Sequence, residues 1–166
     1  MSTEGHSASP SVDPQAGIDF MRLLFAGTTE DVELRAYLDG RAGAALFTRR
    51  PAAARQFIEA HANENIAFDV ATRVGGGTKD HCRELPALGA DVDGPQAWDR
   101  VQAFQLRPSV INGSGDGFHT YWLLTEKVPA DAEVIEPILR GLVVRFINTL
   151  TYYQLRQRPR WWHGIE

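Results

Sequence analysis

Ala87-Leu-Gly-Ala-Asp91-Val-Asp93-Gly94 and Ser114-Gly-Asp-Gly-Phe-His119-Thr-Tyr-Trp122 are the stretches whose reading decides the fold of this chain. The first is an apolar approach that ends in two aspartates at alternate positions. The second is a glycine turn that runs into a histidine on a new hydrophobic run. Alternate residues of a strand point to the same side, so Asp91 and Asp93 would stand roughly 7 Å apart along one face. Two like charges held that way repel and contribute little to a core. They suit a divalent cation. Asp93-Gly94-Pro95 is also sound turn chemistry, but that explains Asp93 better than Asp91. Asp91 follows four small or apolar residues, where an unpaired carboxylate is costly to bury. Magnesium and manganese, which prefer oxygen ligands, are the cations such a pair selects.

His119 has a plain alternative reading. Gly-Asp-Gly suffices for a tight hairpin turn, and a lone histidine is most often an ordinary strand residue. Its position favours more. It lies two residues after Gly117, whose missing side chain lets a ligand approach the backbone. If the strands align this turn with Asp91, the imidazole can donate a hydrogen bond to a phosphate oxygen. A hydrophobic strand ending Asp-x-Asp-Gly also resembles the phosphatases and phosphomutases that use an aspartyl nucleophile. Those place the motif near the start of a longer alternating α/β domain, whereas Asp91 lies past the midpoint and only Lys127 follows it as a lysine.

Outward from these stretches, Ile18–Ala26 is apolar enough for a short helix with Phe20, Leu23 and Leu24 on one side. Val32–Leu38 and Ala44–Thr48 read as a hairpin closed by Asp39-Gly40. Pro51 opens a helix to about Ala62, with Ala54, Phe57, Ile58 and Ala62 on one stripe. Ile66–Ala71 returns to strand periodicity and ends at Arg73. Gly75-Gly-Gly-Thr-Lys79 lacks the Gly-Lys-Ser/Thr of a P-loop and reads as a solvated loop, although Arg73 and Lys79 flank it suitably for phosphates. Leu85–Val92 is a strand, and Pro95 to about Phe104 a helix packing on Trp98 and Val101. Ser109–Asn112 and Phe118–Leu124 are strands about a Gly113–Gly117 turn. A long helix follows Asp131, with Val134, Ile135, Ile138, Leu139, Leu142, Val143 and Phe146 at helical spacing. Strands and helices mix without regular alternation, which favours α+β over a doubly wound sheet.

The 166 residues allow one domain with a real core, and 43% hydrophobic with 23% charged residues is the balance of a water-soluble globular chain. No apolar run approaches the roughly 20 residues of a membrane helix. The expected layout is a disordered Ser/Pro/Gly-rich lead-in over residues 1–16 and a single domain over 17–166. One cysteine, Cys82, excludes an internal disulfide and a multi-cysteine zinc site, and fits a reducing cytoplasm. A net charge of −4 argues against gripping duplex DNA by bulk electrostatics. After Glu136, however, five arginines (Arg140, Arg145, Arg156, Arg158, Arg160) face only Glu166, a basic tail suited to a phosphate backbone or simply to solvent.

Taken together, Phe68–Arg73, the Gly-Thr-Lys loop, the Asp-x-Asp strand and Ser-Gly-x-Gly-x-His-x-Tyr-Trp resemble the archaeo-eukaryotic primase superfamily. The likeness is to its small primase-polymerase domains from phages, plasmids and integrated elements, the RepB-like DNA primases. Val32–Arg35 and Phe47-Thr48-Arg49 look like that family's N-terminal unit. The resemblance implies a sheet akin to an RNA-recognition motif, preceded by a smaller αβ unit. It implies template-directed nucleotidyl transfer from nucleoside triphosphates along a single-stranded DNA template, with a replicative helicase as a candidate partner. Asp91 and Asp93 would bind the catalytic Mg2+ or Mn2+ ions, two of them about 3.5–4 Å apart. Gly117 and His119, with Ser114 and Gly115 in the same turn, would hold the triphosphate, joined by Arg73 and Lys79. The family's third motif supplies another carboxylate after the long helix. Here no aspartate occurs there, and Asn148 stands near the expected position. The expectation is a C-terminal part that is truncated, frame-shifted or altered. The alternative to an active enzyme is a catalytically silent nucleotide- or single-strand-binding module of a replication-initiation protein.

Overall fold

A computed structural model of the chain describes residues 13–114 and 117–147. Along the chain run α1 (Pro14–Leu24), β1 (Asp31–Leu38), β2 (Arg41–Thr48), α2 (Pro51–Ala60), β3 (Asn65–Arg73), a 3-10 turn (Lys79–His81), β4 (Glu84–Asp93), α3 (Ala97–Ala103), β5 (Val110–Gly113), β6 (Gly117–Pro129) and α4 (Ala132–Ile147). The strands form two antiparallel three-stranded sheets, ordered β2-β1-β3 and β4-β6-β5. This is the α+β class expected, with an N-terminal unit contributing as many strands as the second sheet.

Local chemistry sets the boundaries. Asp13 caps α1 by accepting hydrogen bonds from the amides of Gln15 (2.9 Å) and Ala16 (3.3 Å), and Pro14 occupies the first helical turn. Residues 14–16 therefore belong to a helix rather than to the lead-in. Asp39 and Gly40 both take positive φ, 50° and 76°, the geometry of a two-residue hairpin whose twist matches its strands. Pro51 opens α2 as expected, but the helix stops at Ala60 and leaves Ala62 outside. The helix expected from Pro95 starts two residues later, at Ala97.

The second sheet carries packing on both faces, complete on neither. One face presents Ala87 and Tyr121 to Leu24, Phe25 and Val32 from α1 and β1, with Phe20, Phe68 and Val110 packed around them. The other presents Val92, Ala90, Phe118 and Trp122 to Ala97, Val101 and Phe104 of α3. The sheets meet along a seam between β3 and β4. There Arg83 N–H donates to the Thr72 carbonyl (2.8 Å), Glu84 N–H donates to the Thr72 hydroxyl (3.2 Å), and Arg73 bridges Cys82. α4 lies on this seam through Ile135 and Leu139.

Three apolar stripes are narrower than their sequence suggests. On α1 Ile18 and Leu24 are buried while Leu23 is 50% exposed. On α3 Ala97 and Val101 face inward and Trp98 stays 46% exposed, touching Phe118 with ring centroids 5.2 Å apart. On α4 Val134 and Ile138 are exposed, so only the Ile135 side is in contact. At 100° per residue, neighbours in sequence fall on different sides of a helix, and a contact to a single seam or strand covers one narrow side. The side chains of Val143 and Phe146 lie outside the described residues.

Candidate functional site

β4 and β6 pair so that Gly89 faces Tyr121, Asp91 faces His119 and Asp93 faces Gly117. Residues directly opposite in an antiparallel pair share a face of the sheet. Asp91, Asp93 and His119 therefore stand together on the face whose lower part is filled by Tyr121 and Ala87. The structure brings three of the expected residues to one place, with Gly117 beside them. Nε2 of His119 lies 3.5 Å from Oδ1 of Asp91, and the two side chains keep 47% and 29% of their exposure. The pair is open to a ligand from the solvent side.

The surroundings of Asp91 disfavour its charged form. Partial burial raises its pKa above the ordinary value of 3.8; His119 opposes the shift and the Asp93 carboxylate adds to it. A cation between the carboxylates would reverse that balance. Two carboxylates from alternate strand positions fit one hard divalent ion whose other ligands are phosphate oxygens and water. Among the described residues there is no cluster of three or more His, Cys, Asp and Glu side chains placed to hold a metal. Asn148, where a third ligand is sought, lies outside them.

Beneath the charged row sits an aromatic floor. Tyr121 packs against Phe20 and Phe68, with ring centroids 5.2 and 6.0 Å away, and burial together with the Asp91 charge pushes its pKa up to about 12. A phenol held so firmly neutral adds no charge to the site.

Gly117 has a reason that the sequence reading missed. A Cβ there would stand 2.4 Å from the Val92 carbonyl oxygen, 2.6 Å from Oδ1 of Asp93 and 2.9 Å from the Asp93 Cα. The missing side chain is required by the neighbouring strand, which it lets close against Asp93. Ser114 N–H donates to the Gly117 carbonyl (3.0 Å) and so closes the turn, while its hydroxyl is enclosed with no hydrogen-bond partner among the described residues. Gly115 lies outside the described residues.

Arg73 and Lys79 are not brought to this row. Arg73 is 4% exposed; its Nε lies 2.8 Å from Oε2 of Glu33, its second nitrogen pairs with Asp69, and its third donates to the Thr78 carbonyl (2.8 Å). Phe68 and Val70 point into the shared core, while on the other side of the strand Arg73 pairs with both Asp69 and Glu33. The glycine loop closes over this ion cluster. A Cβ on Gly77 would lie 3.1 Å from the Phe47 ring and 3.3 Å from the Arg35 guanidinium, so the middle of the loop is packed while Gly75, Thr78 and Lys79 stay exposed. Lys79 opens the 3-10 turn with its side chain exposed.

The sequence reading also passed over Asn112. β5 pairs with β6 so that Asn112 faces His119 from the side opposite Asp91. Asparagine is depleted in strands, and that was the available signal.

Two antiparallel sheets, an Asp-x-Asp strand end and a histidine on the paired strand define the fold and its open face. A solved structure shares the fold: the AEP domain of the cyanophage S-2L primase-polymerase, matched over 82% of this chain and 75% of that chain with a TM-score of 0.59 and 21% sequence identity. No family model matches the chain. No curated protein matches it either. No helix among the described residues is long and apolar enough to cross a membrane.

Proposed function

We propose that this chain is a primase-polymerase-type nucleotidyltransferase domain that takes nucleoside triphosphates with Mg2+ or Mn2+ on a single-stranded DNA template, in the replication of a phage or other mobile element. The observation that carries the reading is the Asp91–His119 pair, 3.5 Å apart on facing strands with Asp93 beside it. The fold shared with a phage primase-polymerase domain supports it.

In this reading Asp91 and Asp93 hold the divalent ion, which supplies charge stabilisation at the reacting phosphate. His119 donates to a phosphate oxygen, and its contact with Asp91 keeps the imidazole aimed at the anion's side of the row. Tyr121, Phe20 and Phe68 exclude water beneath the row and hold β6 in register. Template contact needs positive charge, and Arg22, Arg49 and Arg50 line a groove of about 190 Å3 between α1 and the start of α2. The three guanidiniums on that otherwise largely apolar lining offer contacts to a DNA backbone, and a replicative helicase is the partner such a domain would serve.

A second reading rests on the donor count. With two carboxylates and no third among the described residues, a single ion is held firmly and a second weakly. The chain then binds a triphosphate with one ion and synthesises poorly, as a nucleotide- or single-strand-binding module would. Primer-extension and de novo synthesis with manganese, run beside a nucleotide titration, separate the two. Incorporation abolished by Asp91→Asn supports the enzyme. Binding without incorporation selects the module, and absence of both removes the shared premise.

A further inference from the structure

We infer that Asn112 is the group that meets the terminal phosphate of the bound triphosphate, so that this face tells triphosphates from diphosphates; the inference rests on the nucleotidyl-transfer reading above. Asp91, His119 and Asn112 form one row across β4, β6 and β5, because His119 is the register partner of both others. Cross-strand partners share a face, so the amide of Asn112 stands on the open side with the carboxylates and the imidazole. It is half-buried, on a four-residue edge strand between Ile111 and Gly113. Among the described residues no protein group takes up its side-chain hydrogen bonds.

The chemistry fixes the order along the row. In nucleotidyl transfer the oxygen of the 3′-hydroxyl bonds to the α-phosphorus and loses its proton to solvent. The bond from that phosphorus to its bridging oxygen breaks, and pyrophosphate leaves with the electron pair. An ion held by Asp91 and Asp93 would supply charge stabilisation at the reacting α-phosphate, with the two outer phosphates extending along the row. His119 is the anion-compatible group next to Asp91, and it lies toward β5. Two strand spacings of about 4.8 Å separate the rows of Asp91 and Asn112, about 9.6 Å in all, a span suited to a triphosphate chain. The amide Nδ2 can donate to the last phosphate's oxygens. Being neutral, it adds no positive charge to retain the pyrophosphate once the bond has broken.

The test titrates dATP and dADP with manganese into the full chain and its Asn112→Ala and Asn112→Asp variants, with melting temperatures measured on the same samples. A hydrogen bond to a charged group predicts that Asn112→Ala weakens dATP by about tenfold or more and leaves dADP unchanged. Asn112→Asp should weaken dATP further, since it sets a negative charge against the terminal phosphate. Equal losses for both nucleotides, or unchanged dATP affinity in the folded variants, overturns the inference while leaving the general reading in place. A wild-type chain that binds neither nucleotide overturns both.

Discussion

At the scale of single residues, Asp91 combines a functional role with a cost to the fold. Its raised pKa means that the folded state binds a proton more tightly than the unfolded state does. The associated stability is present below the ordinary carboxylate value and is lost as the pH rises through the folded pKa. Asp91→Asn should therefore melt higher than the wild type at neutral pH, with the gap closing as the pH falls toward 3.8. The same substitution should reduce divalent binding and any incorporation by orders of magnitude. Thermal melts across a pH series, paired with manganese titration, check both. His119→Ala should weaken triphosphate binding and leave the melting temperature unchanged, because the ring is 47% exposed. Gly117→Ala should cost about 1–3 kcal/mol because a methyl group meets the Val92 carbonyl, and should also weaken divalent binding because that methyl crowds Oδ1 of Asp93. Chemical denaturation measures the cost. That the aspartates and His119 come together on one face was legible because carboxylates at alternate strand positions have little structural use. The reason for Gly117 was not, since a strand's closest approach depends on a register that no local pattern states.

Among the elements, strands were easier to read than helix faces. Apolar runs bounded by turn residues place β1 and β4, although their burial does not alternate: Val32, Glu33 and Leu34 are all buried, as are Leu85, Pro86 and Ala87. Helical stripes show which residues are apolar but not how wide the contact is, so Leu23, Trp98, Val134 and Ile138 read as core and lie exposed. Arg73 illustrates the same limit for charge. Its place after a strand and before a glycine loop suits a phosphate ligand, yet Glu33 and Asp69 occupy its guanidinium. Removing one member of a buried ion cluster leaves the others without compensation, at about 3–5 kcal/mol. Arg73→Ala should accordingly lower stability by that order, with nucleotide affinity per folded molecule unaltered. Denaturant titration beside a binding curve on the folded fraction decides the matter. A large loss of affinity in the folded protein would return Arg73 to the phosphate site.

Over the whole molecule, an acidic net charge coexists with three arginines on one largely apolar groove. Single-stranded DNA binding through Arg22, Arg49 and Arg50 should be weak and steeply salt-sensitive, and each lost phosphate contact should flatten the logarithmic salt slope by about 0.7. Arg49→Ala with Arg50→Ala, measured by fluorescence anisotropy across a salt series, should flatten it by about two such steps. An unchanged slope would place the strand elsewhere. The lone cysteine bears on motion. Cys82 sits on the seam where the two sheets join, half-enclosed, with burial raising its thiol pKa and Arg73 partly offsetting the rise. Opening of the backbone bridge to Arg73 should raise the exposure of this half-enclosed thiol and speed its reaction with a thiol reagent. The alkylation rate of the native chain, read by mass spectrometry as the mass added at this one thiol, is thus a clock for breathing between the sheets.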